Sequence, residues 1–405
     1  MPLMSPLPRT GRALAASILL SATGAFGVCA PASAVPAAGA TPAPSTTTTA
    51  RPVQASTPSR PVVGGDALGR PGVIVDRPAG VPAPPAMPCG SWLVADMTTG
   101  EVLAAKAPHA RFLPASTLKT LTALTLIPRV HPDTLVTATV ADAHADGTRV
   151  GILPGTAYRA RSLFQAMLMA SGNDAAYALA RANGGLPRTV GEMNATARHL
   201  GALDTLAVDP SGLDGPGQSS SAYDLALIGR AAMQLPDFRT YVATKQVAFP
   251  GGRDGKGKVR KPFAVQSHDR LLYNYPGAIG IKNGYTIAAK QTFVGAATRH
   301  GHTYLITQMA GTNGSWRVTA KMLDWAFAYG TRVKPVGTLV EPGALEQKAA
   351  QAQSGLQARA LLAGSPAAAA LSTPPMRPWV GGVGLLGAVA LVGALASRAI
   401  RRARR

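Results

Sequence analysis

The spacing of apolar residues changes twice between residues 91 and 329, and this change limits the possible folds more than any other feature. Two strand-like segments come first, Ser91–Asp96 and Glu101–Ala105, joined by a short turn that predicts a β-hairpin. Helical periodicity follows, and strand-like segments return before a closing helix. Strands at both ends with helices between them predict an α+β sandwich, in which the first hairpin joins the last strands in one antiparallel sheet against a cluster of helices.

The middle region has six predicted helices and four later strands. The helices are Ser116–Leu126, Ser162–Ala170, Asp174–Ala182, Thr189–Leu200, Ala222–Leu235 and Trp316–Tyr329. The strands are Lys261–Tyr273, Ala278–Gly284, Gln291–Arg299 and His302–Ala310. Asn173 or Asp174 is expected to cap the helix that follows Gly172.

The first 34 residues have the pattern of a secretory signal peptide. Arg9 and Arg12 precede the apolar stretch Ala13–Ala30, and Ala32-Ser33-Ala34 fits a small-residue cleavage site. An uncleaved anchor helix is the alternative, because the apolar run is long for a signal peptide. Residues 35–85 are rich in Pro, Ala, Thr and Ser, a composition that predicts a disordered stalk.

The C-terminal end predicts a membrane anchor over residues 379–400. This segment includes Val380–Ser397, an uncharged stretch near the minimum length for crossing a bilayer. The arginine cluster in residues 401–405 would remain in the cytoplasm and leave everything upstream outside. Residues 336–378 form a predicted Ala-, Gln- and Pro-rich linker, in which Gln347–Ala363 can be helical. The expected protein spans the cell membrane once and carries an extracytoplasmic domain over residues 86–335.

The net charge of +21 comes in part from arginines near the two ends of the chain. Aromatic residues make up only 5% of the chain, and no basic stripe with interleaved aromatics is visible, so nucleic-acid binding is not predicted. The sequence has two cysteines and no Cys/His cluster that would suggest a metal site. We therefore predict no metal and no other cofactor.

A serine and a lysine stand three residues apart at a predicted helix start. The spacing of Ser116 and Lys119 puts both side chains on one face of the helix. The helix N-terminus offers free N–H groups to a developing oxyanion. Lys119, if desolvated in a cleft, has a lowered pKa and can act as a base. Alone this S-x-x-K spacing is weak, because a solvated pair matches it equally well.

Two further motifs follow in the chain. Ser171-Gly172-Asn173 interrupts two helices, where a hydroxyl could relay a proton to a leaving amine and an amide could hold a substrate carbonyl. The alternative is a simple helix-capping loop. Lys282-Asn283-Gly284 ends a predicted strand whose edge could pair with an extended peptide. Lys282 would bind a carboxylate or tune the hydroxyl of Ser171, or it is only a lysine at the edge of a hairpin.

The order of these three motifs is specific where each motif alone is not. It is the S-x-x-K, S-x-N, K-T-G order of penicillin-binding proteins and serine β-lactamases, and the chain resembles the low-molecular-weight penicillin-binding proteins of the serine D-alanyl-D-alanine carboxypeptidase family. The resemblance covers residues 88–332 and is carried by LPASTLK at 113–119, ASGNDAAYALA at 170–180, DPSGLDG at 209–215, DRLL at 269–272 and GIKNGYT at 280–286.

The resemblance implies a fold and a set of roles. The fold is the penicillin-binding-protein and β-lactamase sandwich. The implied catalytic residues are Ser116 as acylated nucleophile, Lys119 as base, and Ser171 with Asn173 as the second element. The implied substrate-binding residues are Lys282, Asn283, Gly284, Tyr285, Thr286 and Arg317. The backbone N–H groups of Ser116 and Tyr285 would form the oxyanion hole, and Thr286 would help bind the terminal carboxylate. Arg317 is the weaker candidate, since it can equally be a solvated residue at a helix start.

Two positions depart from the family pattern. Asn283 replaces the usual threonine of the third motif, and Lys290 stands where relatives usually have glycine. Both changes bear on turnover and on penicillin affinity. A wall-binding protein that has lost turnover is therefore an alternative.

The remaining question is the reaction. The only glutamate between Val102 and Val340 is Glu192, and it lacks the surroundings of the glutamate that holds the deacylating water in class A β-lactamases. The single small domain favours a carboxypeptidase over a DD-transpeptidase by resemblance. The expected substrate is a peptidoglycan stem peptide that loses its terminal D-alanine, and β-lactams are the expected covalent inhibitors.

Overall fold

The computed structural model describes residues 62–363. The predicted signal peptide, most of the predicted stalk, the predicted membrane segment 379–400 and the basic tail lie outside the described residues. Within residues 62–363, no helix combines the length and the apolar character needed to cross a bilayer.

One antiparallel sheet runs through the domain, in the strand order β1-β3-β2-β12-β11-β10. Its strands are β1 Val73–Val75, β2 Ser91–Asp96, β3 Glu101–Lys106, β10 Ala278–Thr286, β11 Lys290–Arg299 and β12 His302–Gly311, and a short β13, Gly337–Thr338, pairs with β3. The first hairpin joins the last strands where β2 pairs with β12, with Leu93 opposite Thr307. The predicted pairing of the first hairpin with the last strands of the domain is therefore confirmed.

The helices and the smaller sheets complete the domain. The α-helices are α1 Lys119–Leu126, α2 Val140–Ala143, α3 Ala160–Met169, α4 Asn173–Ala182, α5 Leu186–His199, α6 Ala222–Ala232, α7 Pro236–Ala243, α8 Arg270–Asn274, α9 Trp316–Tyr329 and α10 Ala344–Ala363. Two 3-10 helices lie at Asp66–Gly69 and Ala115–Leu118. Three two-stranded sheets pair β4 Leu135–Thr137 with β5 Ala157–Arg159, β6 Gln246–Phe249 with β9 Phe263–Gln266, and β7 Gly252–Arg253 with β8 Val259–Arg260.

Both faces of the large sheet are covered, which is why all six residues of β2 are buried. Leu93 and Ala95 belong to the core that the sheet shares with α1, α3, α4, α5 and α6. Trp92 and Val94 point to the opposite face, into a second core with α9. The sheet thus lies between a helical cluster on one face and helices α8 and α9 on the other, and the predicted α+β sandwich is confirmed.

Two local predictions are wrong. The strand predicted for Lys261–Tyr273 is real only over Phe263–Gln266, because the side chain of Asp269 accepts a hydrogen bond from Leu271 N and starts helix α8. Neither Asn173 nor Asp174 caps α4; Gly172 occupies that position without a side-chain bond.

The domain is also longer than residues 86–335 at both ends. Residues 73–75 of the predicted stalk form β1 on the edge of the large sheet, where Ile74 pairs with Ala105. Part of the predicted C-terminal linker forms β13 and helix α10, which contains the stretch expected to be helical. The stalk prediction is therefore wrong at residues 73–75 and the linker prediction is wrong at residues 337–338, because the backbone of both segments pairs with β3. The helix expected over Gln347–Ala363 lies within α10.

Candidate active site

Ser116 lies in a short 3-10 turn that leads directly into α1. The carbonyl oxygen of Pro114 holds this turn, because it accepts hydrogen bonds from the hydroxyls of Thr117 at 2.5 Å and Thr292 at 2.8 Å. Ala115 has a φ of 47°, a left-handed conformation that side chains other than glycine adopt at a cost. Ser116 is partly exposed while its neighbours are buried, so its hydroxyl faces the solvent side of an otherwise closed turn.

The amine of Lys119 lies one helical turn further on and is fully buried. Its Nζ contacts three oxygens: Ser116 Oγ at 3.0 Å, Asn173 Oδ1 at 2.6 Å and the carbonyl of Ser211 at 2.6 Å. The amide oxygen and the carbonyl can only accept hydrogen bonds. A neutral amine has two N–H groups for these two acceptors, and its lone pair then faces the hydroxyl of Ser116.

The electrostatics of the site favour that neutral amine. Burial lowers the pKa of Lys119 well below its usual value, and the positive charge of Lys282 lowers it further. The carboxylates of Asp209 and Asp174 act in the opposite direction. Because desolvation is the largest of these effects, Lys119 is the group in this cleft best suited to accept a proton.

The Ser171-Gly172-Asn173 segment joins α3 to α4, as predicted. Asn173 is buried; besides accepting from Lys119, its amide donates to the carbonyl of Asp146 at 2.6 Å. Ser171 has a φ of 61° and is buried, with 6% of its surface exposed. Among residues 62–363, the Ser171 hydroxyl has no hydrogen-bond partner, so the expected effect of Lys282 on this hydroxyl stays a prediction.

Strand β10 brings the third motif against the turn that holds Ser116. A Cβ atom added to Gly284 would lie 2.8 Å from Ser116 N and 2.9 Å from Thr117 N, so only glycine fits here without movement. Lys282 is buried; its Nζ donates to the carbonyl of Asn283 at 2.8 Å and lies 3.4 Å from Asn283 Oδ1. Burial lowers the pKa of Lys282 to about 7, opposed by the charge of Asp269.

The outer edge of β10 thus runs past the N-terminus of the helix that carries Ser116. Tyr285, the next residue, is 57% exposed, and β10 is the last strand of the sheet in the described part of the chain. The arrangement puts the backbone of residues 284–285 beside Ser116, where an extended peptide could add to the sheet.

Two predicted substrate-binding residues are placed differently from expectation. The hydroxyl of Thr286 donates its only hydrogen to Asp214 Oδ1 at 2.9 Å and accepts a hydrogen bond from Ala289 N. It therefore has no hydrogen left for a substrate carboxylate, which Asp214 would also repel. Arg317 is exposed at the start of α9 and stacks over the ring of Trp316. The structure records no contact between Arg317 and the other site residues within the described range.

Two acidic residues support the site and were not predicted to do so. The buried carboxylate of Asp174 accepts hydrogen bonds from the backbone N–H groups of Val150, Gly151 and Ile152, which fastens a loop over Asn173. Asp209 organises the turn that carries Ser211. Both residues lie inside the segments that carry the family resemblance, and that was the only available signal.

A polar cavity of about 910 Å³ opens beside the site. Ala170, which precedes Ser171, and Asn283 belong to its wall. Its wall has three basic side chains, Arg149, His268 and Arg270, and no carboxylate. Burial and the charge of Lys282 lower the pKa of His268, so the two arginines carry the positive charge of this wall.

Glu192 lies in a separate network on α5. Its carboxylate accepts from Asn183 Nδ2 at 2.7 Å and pairs with Arg188 at 2.9 Å and Arg129 at 3.2 Å. These partners occupy the carboxylate, in keeping with the expectation that Glu192 does not hold a deacylating water.

The chain is similar in sequence to known D-alanyl-D-alanine carboxypeptidases. A sequence profile of the D-alanyl-D-alanine carboxypeptidase family, peptidase family S11, matches residues 79–312. The D-alanyl-D-alanine carboxypeptidase DacB2 of Mycobacterium tuberculosis is 43% identical over 270 residues, which span 65% of this chain and 90% of that protein. DacD of Salmonella typhimurium is 32% identical over 273 residues, which span 63% of this chain and 67% of that protein.

Solved structures give the same result. The D-alanyl-D-alanine carboxypeptidase of Mycobacterium tuberculosis aligns with a TM-score of 0.60 at 42% identity, over 65% of this chain and 99% of that chain. The DD-transpeptidase of Streptomyces K15 aligns with a TM-score of 0.58 at 28% identity, over 61% of this chain and all of that chain. Together with a profile match over more than half of its 405 residues, these likenesses show that the chain belongs to the D-alanyl-D-alanine carboxypeptidase family of serine-type hydrolases.

Proposed function

We propose that Ser116 is the nucleophile through which this D-alanyl-D-alanine carboxypeptidase removes the terminal D-alanine of peptidoglycan stem peptides. One observation carries the assignment. The fully buried Nζ of Lys119 lies 3.0 Å from Ser116 Oγ, and its other two contacts are acceptors, Asn173 Oδ1 and the Ser211 carbonyl. This is the geometry of a serine hydroxyl beside an amine that can take its proton.

In the proposed acylation, every proton and bond change is accounted for by groups of this site. Lys119 takes the hydroxyl proton of Ser116 while Oγ attacks the carbonyl carbon between the two D-alanines. The developing oxyanion faces the backbone N–H groups of Ser116 and Tyr285. The C–N bond breaks, the leaving amine receives the proton through Ser171, and an ester remains on Ser116. Water attacks that ester with Lys119 again as base, which releases the shortened peptide and restores the serine.

The second lysine sets the charge of the cleft. Lys282 and Lys119 are both buried, and the charge of Lys282 disfavours a second ammonium next to it. While it is charged, Lys282 therefore adds to the effect of burial and lowers the pKa of Lys119 further. It also attracts the carboxylate of an arriving peptide.

The cavity beside Asn283 supports a substrate that carries a carboxylate. Its wall includes Arg149 and Arg270 and no acidic side chain. Ala170 on the same wall precedes Ser171, the residue proposed to protonate the leaving group, so the terminal D-alanine would leave toward this positively charged side. A β-lactam bears a comparable carboxylate and would acylate Ser116 in the same orientation.

The acceptor of the acyl group defines the second candidate function. Because the chain is similar in structure to the DD-transpeptidase of Streptomyces K15, an amine should be tested as acceptor in place of water. Adding a glycine or D-amino acid acceptor to the reaction should leave hydrolysis the main outcome. Predominant transfer to the amine would make the chain a transpeptidase.

The cellular location is part of the proposal. A stem peptide lies outside the cytoplasmic membrane, and the sequence of residues 1–34 and 379–405 predicts a leader and a single C-terminal anchor. Protease added to intact cells should digest residues 86–335 and spare a tag placed after Arg405. A protected domain would contradict the external location.

The central test is release of free D-alanine from a D-Ala-D-Ala peptide by the purified protein. Release should be lost in Ser116→Ala and kept in Ser354→Ala, a matched change of an exposed serine on α10. Labelled penicillin should modify the wild type and Ser354→Ala but not Ser116→Ala. Penicillin labelling without any D-alanine release would point instead to a wall-binding protein that has lost turnover.

A further inference from the structure

Asp209 organises the turn that touches Lys119. One carboxylate oxygen, Oδ1, accepts hydrogen bonds from Ser211 N at 2.7 Å, Ser211 Oγ at 2.5 Å, Gly212 N at 2.8 Å and Leu213 N at 3.2 Å. The other oxygen accepts from the hydroxyl of Tyr177. A carboxylate with this many donors fixes the turn over residues 209–213 in one conformation.

This turn contacts both members of the proposed catalytic pair. The carbonyl of Ser211 accepts from Lys119 Nζ at 2.6 Å. Gly212 has a φ of +84°, and a Cβ atom there would lie 2.0 Å from the carbonyl oxygen of Ala115, the residue before Ser116. The turn is therefore packed against the backbone of the serine on one side and against the amine of the lysine on the other.

Helix α4 ties this turn to the second motif. Asn173 and Tyr177 are four residues apart on α4 and so lie on one face of the helix. Asn173 contacts Lys119, and Tyr177 contacts Asp209. The two acceptors of the lysine, an amide oxygen and a backbone carbonyl, are thus held from the same helix.

We propose that Asp209 is a positioning residue for the Ser116–Lys119 pair. Asp209 holds the Ser211 carbonyl where this carbonyl accepts one N–H of the neutral amine of Lys119, so that the lone pair of the amine points toward the serine hydroxyl. The inference rests on the proposed roles of Ser116 and Lys119. Without that carbonyl the amine would keep Asn173 as its only fixed acceptor and could rotate away from Ser116.

Asp209 also acts on Lys119 through its charge. Its carboxylate favours the ammonium form and so opposes the desolvation of Lys119. Removing the charge lowers the pKa of Lys119. Because the neutral amine is the active form, the rise of activity with pH should then begin at a lower pH. The other charges that act on Lys119, those of Lys282 and Asp174, are unchanged by the substitution.

The test is the pH dependence of kcat/KM for D-alanine release in Asp209→Asn and Asp209→Glu. Asp209→Asn keeps the shape and loses the charge. We expect kcat/KM to fall roughly 10-fold, because Lys119 is a weaker base and is held less firmly. The acidic limb of the pH profile should move down by about 0.5–1 pH unit. Asp209→Glu keeps the charge but displaces the turn, so its rate should fall without a downward shift of that limb.

Asp142→Asn is the matched control, because Asp142 is a buried carboxylate bonded to Arg181 away from the site. It should leave both the rate and the acidic limb of the folded protein unchanged. A rate loss in Asp209→Asn with an unmoved limb, or wild-type behaviour in both measurements, would overturn the proposal. If Asp209→Asn does not fold by circular dichroism, Tyr177→Phe replaces it; a folded Tyr177→Phe protein should lose at least about 3-fold in rate, and a wild-type rate would refute the inference.

A second readout separates this inference from the proposed function. The rate of labelling by a fluorescent penicillin also depends on Ser116 and Lys119, and it can be followed against pH without D-alanine release. Should the wild type label but release no D-alanine, the carboxypeptidase assignment fails. The role of Asp209 is then still decided by whether the acidic limb of labelling shifts in Asp209→Asn.

Discussion

Replacing Gly284 by alanine is expected to slow acylation of Ser116 while leaving the domain folded. The added Cβ would lie 2.5 Å from Thr292 Oγ1, 2.8 Å from Ser116 N and 2.9 Å from Thr117 N, whereas ordinary contact begins at 3.4 Å. Relief requires a displacement of roughly 0.5–0.9 Å, the difference between those distances and ordinary contact. Either β10 moves away from Ser116, or the Thr292 hydroxyl gives up its bond to Pro114.

The magnitudes separate the two effects of this substitution. Overpacking costs about 1–3 kcal/mol of stability, which is less than the 5–15 kcal/mol typical of a folded domain. A displacement approaching 1 Å in a catalytic arrangement lowers the rate by about 100-fold. The Gly284→Ala protein should therefore unfold in a normal cooperative transition at a somewhat lower temperature, yet lose most of its kcat/KM for D-alanine release.

Gly255→Ala is the matched control, since a Cβ atom there meets nothing within 4 Å. Its rate and its melting temperature should match those of the wild type. The comparison requires kcat/KM together with near-UV circular dichroism, so that a folded but slow enzyme is distinguished from an unfolded one. A folded Gly284→Ala protein with wild-type kcat/KM would refute the claim that β10 must contact the Ser116 turn this closely.

Two further predictions concern the third motif and the stability of the domain. Asn283 Oδ1 lies 3.4 Å from Lys282 Nζ, and Asn283→Thr replaces this amide with the hydroxyl usual in the family motif. We expect penicillin to acylate Ser116 roughly 3- to 10-fold faster in this variant. An unchanged labelling rate would contradict this expectation. Burial, reinforced by the nearby charge of Asp204, raises the pKa of Asp224 to about 7 in the folded protein, above the ordinary value of 3.8. The folded state then holds a proton that the unfolded chain has lost, so the wild type should lose stability relative to Asp224→Asn as the pH rises from about 4.5 to 8, by roughly 1–3 kcal/mol in denaturant unfolding. A difference that does not depend on pH would show that Asp224 does not titrate in this way.

Local patterns in the sequence predicted well most of the helices and strands that carry the site residues. The helix Trp316–Tyr329 has the predicted bounds, and Ser116 and Lys119 lie one turn apart at a helix start, because helical periodicity is a property of neighbouring residues. The wrong strand at Lys261–Tyr273 shows where such patterns fail. Its apolar residues fit a strand, but the hydrogen bond from Leu271 N to Asp269 starts a helix within it.

The contacts of Lys119, the proposed base, come from parts of the chain far from it in sequence. The ordered motifs were sufficient to determine the family, the sandwich and the identity of Ser116, Lys119 and Asn173 as candidates. The Ser211 carbonyl, the support from Asp209 and the engagement of Thr286 by Asp214 emerge only from the folded chain. Backbone carbonyls leave no mark in a sequence, and desolvation depends on every element that packs around a side chain. The tertiary structure alone therefore decides how far burial lowers the pKa of each lysine and which acceptors surround its amine.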